Sequence, residues 1–272
     1  MLKRLALAAL GLVGLQVVRL PGYERRLLVM DRRTRREAGP DLFLQDHLRM
    51  IFERYGVDCV LDVGANRGQY GRELRLAGYR GRLVSFEPVE QLSRELRETV
   101  AGDAAWTVQR VALGRQSGTA EINVTRHDVF SSFRAPGAFA AERFGEATEV
   151  ARHERVAIRR LEEVLDELCG DGPPPRCFLK MDTQGYDLEV FAGLGHWAEH
   201  VVGLQSEVAA IPLYTGMPRM AEAIAHYEAA RFELTGLFPL SRDEATGRMI
   251  EFDCVMVRPA ALHGAHRGKR AR

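Results

Sequence analysis

The sequence predicts an α/β fold, built on one doubly wound and mostly parallel sheet of seven strands. Three observations predict it: short, uniformly apolar runs recur along the chain, helical patterns separate them, and a glycine-rich turn follows the first run. Apolar runs of this kind are typical of parallel strands that are covered by helices on both faces. The 272 residues suffice for one sizeable core.

The predicted strands and helices alternate along the chain. The strands are Val57 to Val63, Gly81 to Phe86, Trp106 to Leu113, Cys177 to Met181, Val201 to Val208, Phe232 to Leu237 and Phe252 to Val257. The helices are Asp41 to Tyr55, Gln69 to Ala77, Val89 to Val100, Leu161 to Leu168, Tyr186 to Leu194 and Met220 to Ala230. Glu121 to Val124 is a brief strand extension, and the last two strands close the sheet as a hairpin around Ser241 to Gly247.

We divide the chain into a helical, apolar and basic extension over 1–40, the α/β domain over 41–259, and a basic flexible tail over 260–272. Within the domain, regular patterning fades over 125–155, which is typical of a lid or substrate loop. The apolar run from Leu5 to Val18 is shorter than the roughly 20 residues that span a bilayer. Two interpretations of this run remain open. It can be a helix packed on the domain, or it can be an interfacial helix on the inner membrane leaflet, which would give peripheral membrane contact through residues 1–22.

Composition narrows the classes of function. A formal net charge of +1 gives no reason to expect a nucleic-acid partner. The four cysteines form neither a CxxC pair nor a zinc-ligand spacing, which favours a reduced, cytoplasmic protein.

The strongest motif is the strand and turn VLDVGANRG, from Val60 to Gly68. Glycine is needed where a cofactor crosses a strand end or the turn requires a positive φ. A dinucleotide fingerprint would read G-x-G-x-x-G, whereas here Ala65 and Asn66 follow Gly64 directly. Asp62, still within the strand, suits a ligand that carries an ammonium group better than one that carries phosphates.

The second motif is SFEP, which ends the next strand at Glu87 and Pro88. A carboxylate at this place can accept hydrogen bonds from both hydroxyls of a ribose, because a nucleoside lies across adjacent strand ends at the switch point of such sheets. The structural alternative is an acid at a helix start with Pro88 in the first helical position.

The third motif, FLKMDTQGYDLEV, runs from a strand into a helix at Asp182. With DVGANRGQY, SFEP, VALG, LQSEVAAIPLYTGMP and EFDCVMVR, it resembles the FkbM family of methyltransferases, in order from Val57 to Arg258. The family's commoner form reads D-x-E-G here, so Gln184 departs from it and a role of that glutamate is not carried over.

This resemblance implies a class I methyltransferase that uses S-adenosylmethionine and methylates an oxygen of a sugar, polyketide or similar metabolite; the basic, apolar start adds glycolipids. We expect Asp62, Gly64, Ala65, Asn66 and Gly68 around the amino-acid part of the donor. Glu87 and Pro88 would face its ribose, and Arg110 and Ala112 its adenine. The catalytic candidates are Asp182 as general base or orienting group, Lys180 beside it, and Glu207 at the end of the fifth strand.

Several alternatives stay open at this point. Lys180 and Asp182 can form a structural ion pair only. Asp182 and Glu207 can together hold a divalent cation, although we expect no required metal. His127 and Asp128 lie in the predicted loop and are more typical of solvated residues. A nicotinamide-dependent oxidoreductase and a non-catalytic, membrane-associated binding protein on the same fold are the rival functions.

Overall fold

A computed structural model describes residues 15–19, 27–31, 39–170 and 172–261. The chain divides into two compact units, 1–48 and 49–272. In the first unit, strands β1 (Leu15–Arg19) and β2 (Leu27–Asp31) pair in antiparallel fashion. The helical prediction for 1–40 is therefore wrong for these two segments, and the N-terminal helix begins later, as α1 (Gly39–Tyr55). Most of the run from Leu5 to Val18 lies outside the described residues.

A seven-stranded sheet organises the second unit. In chain order its strands are β3 (Cys59–Val63), β4 (Arg82–Phe86), β5 (Trp106–Gln109), then, after a smaller sheet, Cys177–Met181, Val201–Ala209, Glu233–Arg242 and Met249–Val257. The numbers β6 to β8 are kept for the smaller sheet, so the last four strands of the large sheet are β9 to β12. Their spatial order in the large sheet is β5-β4-β3-β9-β10-β12-β11. Within this sheet, β12 runs antiparallel to both neighbours and the other pairs are parallel. The predicted fold is confirmed.

Helices connect these strands and cover the sheet. They are α2 (Gln69–Leu76), α3 (Glu90–Val100), α4 (Ala138–Phe144), α5 (Leu161–Cys169), α6 (Asp187–Ala192) and α7 (Met220–Ala229). The central strands are buried on both faces, and the largest core cluster joins β3, β9 and β10 to side chains of α5 and α6. This burial explains their continuous apolar runs.

The smaller sheet corrects two predictions. β6 (Ala112–Leu113), β7 (Gly118–Thr125) and β8 (Val150–Arg159) pair in the order β6-β8-β7. The predicted strand from Trp106 to Leu113 is thus two strands in different sheets, broken where the amide of Val111 donates to the carbonyl of Gln109. The brief extension at 121–124 is a full strand, because pairing with β8 supplies its partners.

The predicted loop over 125–155 is shorter and more ordered than expected. Its end belongs to β8, and the remainder contains α4 and two 3₁₀ turns, Asp128–Phe130 and Gly145–Thr148. We call residues 126–149 the insertion. Its apolar side chains pack with the segment after β10, in a cluster that includes Ala140, Leu213 and Met217, which is why a stretch without long periodicity is nevertheless ordered.

Other boundaries shift only slightly. The sixth helix is α6, shorter than the predicted Tyr186 to Leu194, and β11 extends to Arg242 before the hairpin turn. The four cysteines are free thiols. A search of the described residues finds no helix that is long and apolar enough to cross a membrane. The predicted flexible tail lies almost wholly outside the described residues, with Pro259–Ala261 forming a 3₁₀ turn before it.

Candidate active site

The candidate site lies where the strand order reverses. From β3 the chain first builds β4 and β5 on one side, and later places β9 and β10 on the other. Ligands of doubly wound sheets bind outside the carboxyl ends of the strands at this switch point. Asp62 of β3 pairs in register with Lys180 of β9 there, so two charged residues meet at the centre of an apolar sheet.

The turn after β3 has the backbone geometry that its glycines predict. Gly64 and Gly68 have φ of 76° and 80°, and Asn66 between them has φ of 48°. A Cβ on Gly64 would lie 1.9 Å from the carbonyl oxygen of Asp182. Gly64 is therefore needed for the close approach of β3 to the end of β9. The amides of Gly64 and Ala65 both donate to Phe86 O, at 3.0 and 3.1 Å, which ties the turn to β4.

Glu87 follows β4 and is 5% exposed. Its Oε2 accepts from the Asn66 amide and its Oε1 from the Val89 amide, both at 2.9 Å. Burial raises its pKa to about 7, against the lowering effect of these two amides. Helix α3 begins only at Glu90, so the alternative that puts Pro88 in the first helical position is wrong. Each carboxylate oxygen keeps a lone pair for a further donor.

Asp62 is completely buried. Its Oδ2 accepts from Ser85 Oγ at 3.0 Å, and its Oδ1 lies 3.3 Å from Lys180 Nζ without another hydrogen-bond partner. Ser85 in turn accepts from Trp106 Nε1 at 3.0 Å. The ammonium group that Asp62 faces in the structure is thus that of Lys180, and its contact with a ligand stays a prediction.

Lys180 joins Asp62 to Asp182. Its Nζ lies 3.3 Å from one carboxylate oxygen of each and 5.3 Å from the centre of the Tyr70 ring. Burial lowers the pKa of Lys180, but the negative charges of Asp182, Asp62 and Glu207 outweigh it and raise the pKa above the usual value. The lysine is therefore a fixed cation.

Asp182 and Glu207 meet at the ends of β9 and β10. Gln184 Nε2 donates to Asp182 Oδ1 at 2.9 Å and to Glu207 Oε2 at 3.0 Å. The Asp182 side chain is 30% exposed, whereas that of Lys180 is 8% exposed, so the aspartate is the member of the ion pair that an acceptor can reach. The three predicted catalytic residues lie together in one cluster.

Further acids from the neighbouring strand surround this cluster. Glu207 lies in register with Asp253 of β12. Burial raises the pKa of Glu207 well above its ordinary value, and the charges of Asp182, Glu251 and Asp253 raise it further. Burial also raises the pKa of Glu251, to about 7. Both glutamates therefore hold their protons over a wider pH range than exposed glutamates do.

The remaining predicted residues lie after β5, in β6 and in the insertion. Arg110 follows β5 and pairs with Glu90 at 3.2 Å, and Ala112 is buried in β6. Asp128 of the insertion forms an ion pair with Arg67 of the glycine turn, while His127 is exposed. Nothing in these contacts assigns a role in adenine binding to Arg110 or Ala112, which stays a prediction.

Tyr214, Glu251 and Gln205 also belong to this site and were not predicted from the sequence. Gln205 accepts from Tyr70 Oη at 3.1 Å and donates to Asp253 Oδ1 at 2.8 Å. A signal was available for two of them, because polar residues occupy alternate positions in both strands, at 205 and 207 in β10, where Ser206 lies between them, and at 251 and 253 in β12. A period of two places such side chains on one face.

The strand order, the switch-point site and the glycine turn are those of the class I methyltransferase fold. The sequence model of the methyltransferase FkbM domain matches residues 62–209. The match covers more than half of the 272 residues, and the chain belongs to the FkbM methyltransferase family.

Solved structures with similar backbones include three methyltransferase-fold proteins. Magnesium protoporphyrin IX methyltransferase from Synechocystis, with bound S-adenosylmethionine, has a TM-score of 0.41 and 12% identity, over 80% of this chain and 82% of that one. Precorrin-6y C5,15-methyltransferase from Geobacter metallireducens has a TM-score of 0.41 and 10% identity, over 77% and 86%. Aeropyrum pernix fibrillarin with natively bound S-adenosylmethionine has a TM-score of 0.40 and 12% identity, over 74% and 66%. No curated protein sequence matches the chain.

The residues of the site fit the cofactor, S-adenosylmethionine. A Cβ would meet the Asp182 carbonyl oxygen at Gly64 and the side chains of Leu96 and Trp106 at Gly68, so both glycines let the turn pack tightly beside Glu87. The two free lone pairs of Glu87 match the two hydroxyls of a ribose. The glycine turn and Glu87 are joined directly, through the Asn66 amide, so one rigid unit would hold both parts of the molecule.

Proposed function

We propose that this methyltransferase transfers the methyl group to a hydroxyl oxygen of a small-molecule or lipid-linked acceptor. The observation that carries the proposal is the partly exposed Asp182 carboxylate, held by Lys180 and Gln184 at the switch point. A hydroxyl needs a nearby base when it becomes a nucleophile, and a carboxylate in this position supplies one. An amine acceptor would need no such base once it is uncharged.

The residues of the site have separate roles in methyl transfer. When bound, S-adenosylmethionine supplies a methyl group whose bond to the sulfonium sulfur breaks as the acceptor oxygen bonds to carbon, the electron pair returning to sulfur. Asp182 takes the proton that the acceptor hydroxyl loses. Lys180 keeps a positive charge 3.3 Å from Asp182 Oδ2 and so holds that carboxylate in place. Glu207, with its raised pKa, donates a hydrogen bond to the acceptor when protonated.

The charges of the site bear on the class of acceptor. Asp182, Glu207, Glu251 and Asp253 lie close together at the ends of β9, β10 and β12, beside Lys180. Carboxyl groups attract no anion whether ionised or protonated, and the charge of Lys180 is already balanced by Asp62 and Asp182, so the site favours neutral polyhydroxy groups over phosphate and carboxylate groups. We therefore favour the hydroxyl of a sugar, glycolipid, polyketide or similar metabolite over an anionic acceptor.

The sequence also supports a cellular location for the enzyme. Residues 1–22 are apolar with basic residues near their start and end, a pattern that binds anionic lipid surfaces. We propose a cytoplasmic protein that contacts the inner membrane face peripherally through this segment, where a lipid-linked acceptor would be available.

The proposal is tested by comparing the metabolites of cells with and without the gene. The expected result is a compound that differs by a single methyl group and whose methyl sits on oxygen. A methyl on nitrogen, carbon or sulfur would contradict O-methylation while leaving the family assignment intact. A variant carrying Asp182→Asn should give the same metabolite profile as the deletion.

A further inference from the structure

Gln184 occupies the centre of the candidate site, although its side chain is neither acid nor base. It lies in the turn after β9 with φ of 53°, and Gly185 follows with φ of 87°. Two positive φ values in succession are uncommon, and a residue other than glycine or asparagine is rare in the first. The turn holds this conformation because Ser132 Oγ donates to Gln184 O at 2.8 Å and Arg134 Nε to Gly185 O at 2.8 Å.

The amide group of Gln184 has a defined orientation. Tyr214 Oη donates to Gln184 Oε1 at 2.7 Å, whereas the Phe130 carbonyl oxygen lies farther from the same hydroxyl, at 3.2 Å. Tyr214 is 3% exposed, so its hydroxyl does not move freely. With the oxygen of the amide taken by this donor, Nε2 points at Asp182 and Glu207.

The two carboxyl groups need such a neutral bridge. Carboxylates that share a site disfavour each other's ionised form. The amide nitrogen has two N–H donors and no acceptor, so it serves both carboxyl groups and adds no charge. A glutamate, the commoner residue of the family at this position, has no donor while it is ionised, so it can join the two carboxyl groups only when it carries a proton.

We propose that Gln184 is a positioning residue for methyl transfer, cross-linking Asp182 to Glu207 through its amide and held in that orientation by Tyr214. The inference rests on the proposed function of Asp182 as the base. Gln184 acts through the carboxyl groups that it holds and not on the acceptor itself. The insertion contributes through Ser132 and Arg134, which fix the turn.

Charged and titratable groups from every neighbouring element face the Asp182 and Glu207 pair and shape its pH dependence. They are Lys180 on β9, Asp62 on β3, Asp187 on α6, Glu251 and Asp253 on β12, and Tyr214 after β10. None of them is altered by a substitution at position 184. A change in the pH profile of Gln184→Glu therefore reports that this side chain contacts the pair, whereas Tyr214→Phe, which adds no charge, reports on the orientation of the amide.

The first experiment compares Gln184→Glu with Gln116→Glu, which makes the same chemical change in an exposed turn between β6 and β7. Each is assayed with radiolabelled S-adenosylmethionine and the metabolite fraction of cells that lack the gene. For Gln184→Glu we expect at least about a tenfold loss of kcat near neutral pH and an acid limb moved up by about one pH unit or more, because the added carboxylate raises the pKa of its neighbours. Cofactor affinity should change less than about twofold, and Gln116→Glu should match the wild type.

A second variant covers the case in which Gln184→Glu fails to fold. Tyr214→Phe keeps the packing of the ring and removes only the hydroxyl, so it should fold, bind the cofactor normally and lose kcat by a factor of about 5–20, the equivalent of one hydrogen bond. Wild-type rates and pH profiles in both variants would overturn the proposal.

An NMR titration of isotope-labelled side-chain carboxyl groups separates this proposal from the proposed function. The Asp182 and Glu207 resonances should titrate at higher pH in Gln184→Glu than in the wild type, whatever the acceptor is. If the wild type labels no metabolite, the proposed function fails, and the titration alone then decides whether Gln184 holds the pair. Unchanged titration curves would overturn the bridge itself.

Discussion

Glu87 should make cofactor binding depend on pH, and Glu87→Gln should remove that dependence. The carboxylate has four lone-pair positions, of which the amides of Asn66 and Val89 occupy two. The two ribose hydroxyls can use the others only while Glu87 is ionised, because a protonated carboxyl turns one acceptor position into a donor. Since burial raises the pKa of Glu87 to about 7, the loss falls within an accessible pH range.

The size of the effect follows from that pKa. About one-eleventh of Glu87 is ionised at about pH 6 and about ten-elevenths at about pH 8, so the affinity should fall about tenfold on acidification over this range. In Glu87→Gln the charge-assisted bonds are lost at every pH. Their usual contribution of about 1.5–3 kcal/mol corresponds to an affinity roughly ten- to hundredfold weaker at about pH 8.

Calorimetric titration with S-adenosylmethionine across this range measures both quantities. Glu98→Gln, the same chemical change at an exposed position of the following helix α3, serves as the matched control and should retain the wild-type pH profile. The amino group of the ligand titrates equally with all three proteins, so the difference between profiles isolates Glu87. Parallel profiles for the wild type and Glu87→Gln would refute the assignment of Glu87 to the ribose.

Three further predictions address the turn, the base and the N-terminus. Gly64→Ala should lower the free energy of unfolding in urea by more than about 3 kcal/mol, because its Cβ would lie 1.9 Å from a backbone oxygen. Gly102→Ala, with open space around it, should leave the stability unchanged. Equal stabilities of the two variants would contradict the packing argument. Asp182→Asn should lower kcat by about 10²–10⁴ with unchanged cofactor affinity, whereas a lower Tm with an undiminished single-turnover rate would leave it a structural role only. Full-length protein should sediment with anionic vesicles and a variant without residues 1–22 should not; full-length protein that stays in the supernatant would remove the support for a lipid-linked acceptor.

Local pattern predicted the parts of the fold that depend on neighbours in sequence. The central strands and the glycine turn follow from apolar runs and from backbone requirements that glycine alone meets easily, as at Gly64. The break between β5 and β6 could not be predicted from local pattern, because it depends on the pairing of β6 with residues of β8 that lie 46 positions farther along the chain. The same holds for β1 and β2, whose antiparallel pairing replaces part of a predicted helix.

In the candidate site, too, some features follow from local sequence and others require the folded structure. Asp62, Glu87, Asp182 and Glu207 could be predicted because each stands at the polar end of an apolar strand, and parallel strands bring such ends together. The position of Lys180 between two carboxylates requires the strand register, which the sequence does not state. The bridge by Gln184 requires more, since it depends on a positive φ and on a hydroxyl 30 residues away.

Methyl transfer by the purified enzyme tests the central claim most directly. Wild-type protein and Asp182→Asn are incubated with S-adenosylmethionine that carries an isotope-labelled methyl group and with the metabolite fraction of cells that lack the gene. The account predicts one labelled product with the methyl ether on a former hydroxyl, formed by the wild type and at least about a hundredfold more slowly by the variant. A labelled product formed equally fast by both proteins, or a label carried on nitrogen, carbon or sulfur, would contradict it.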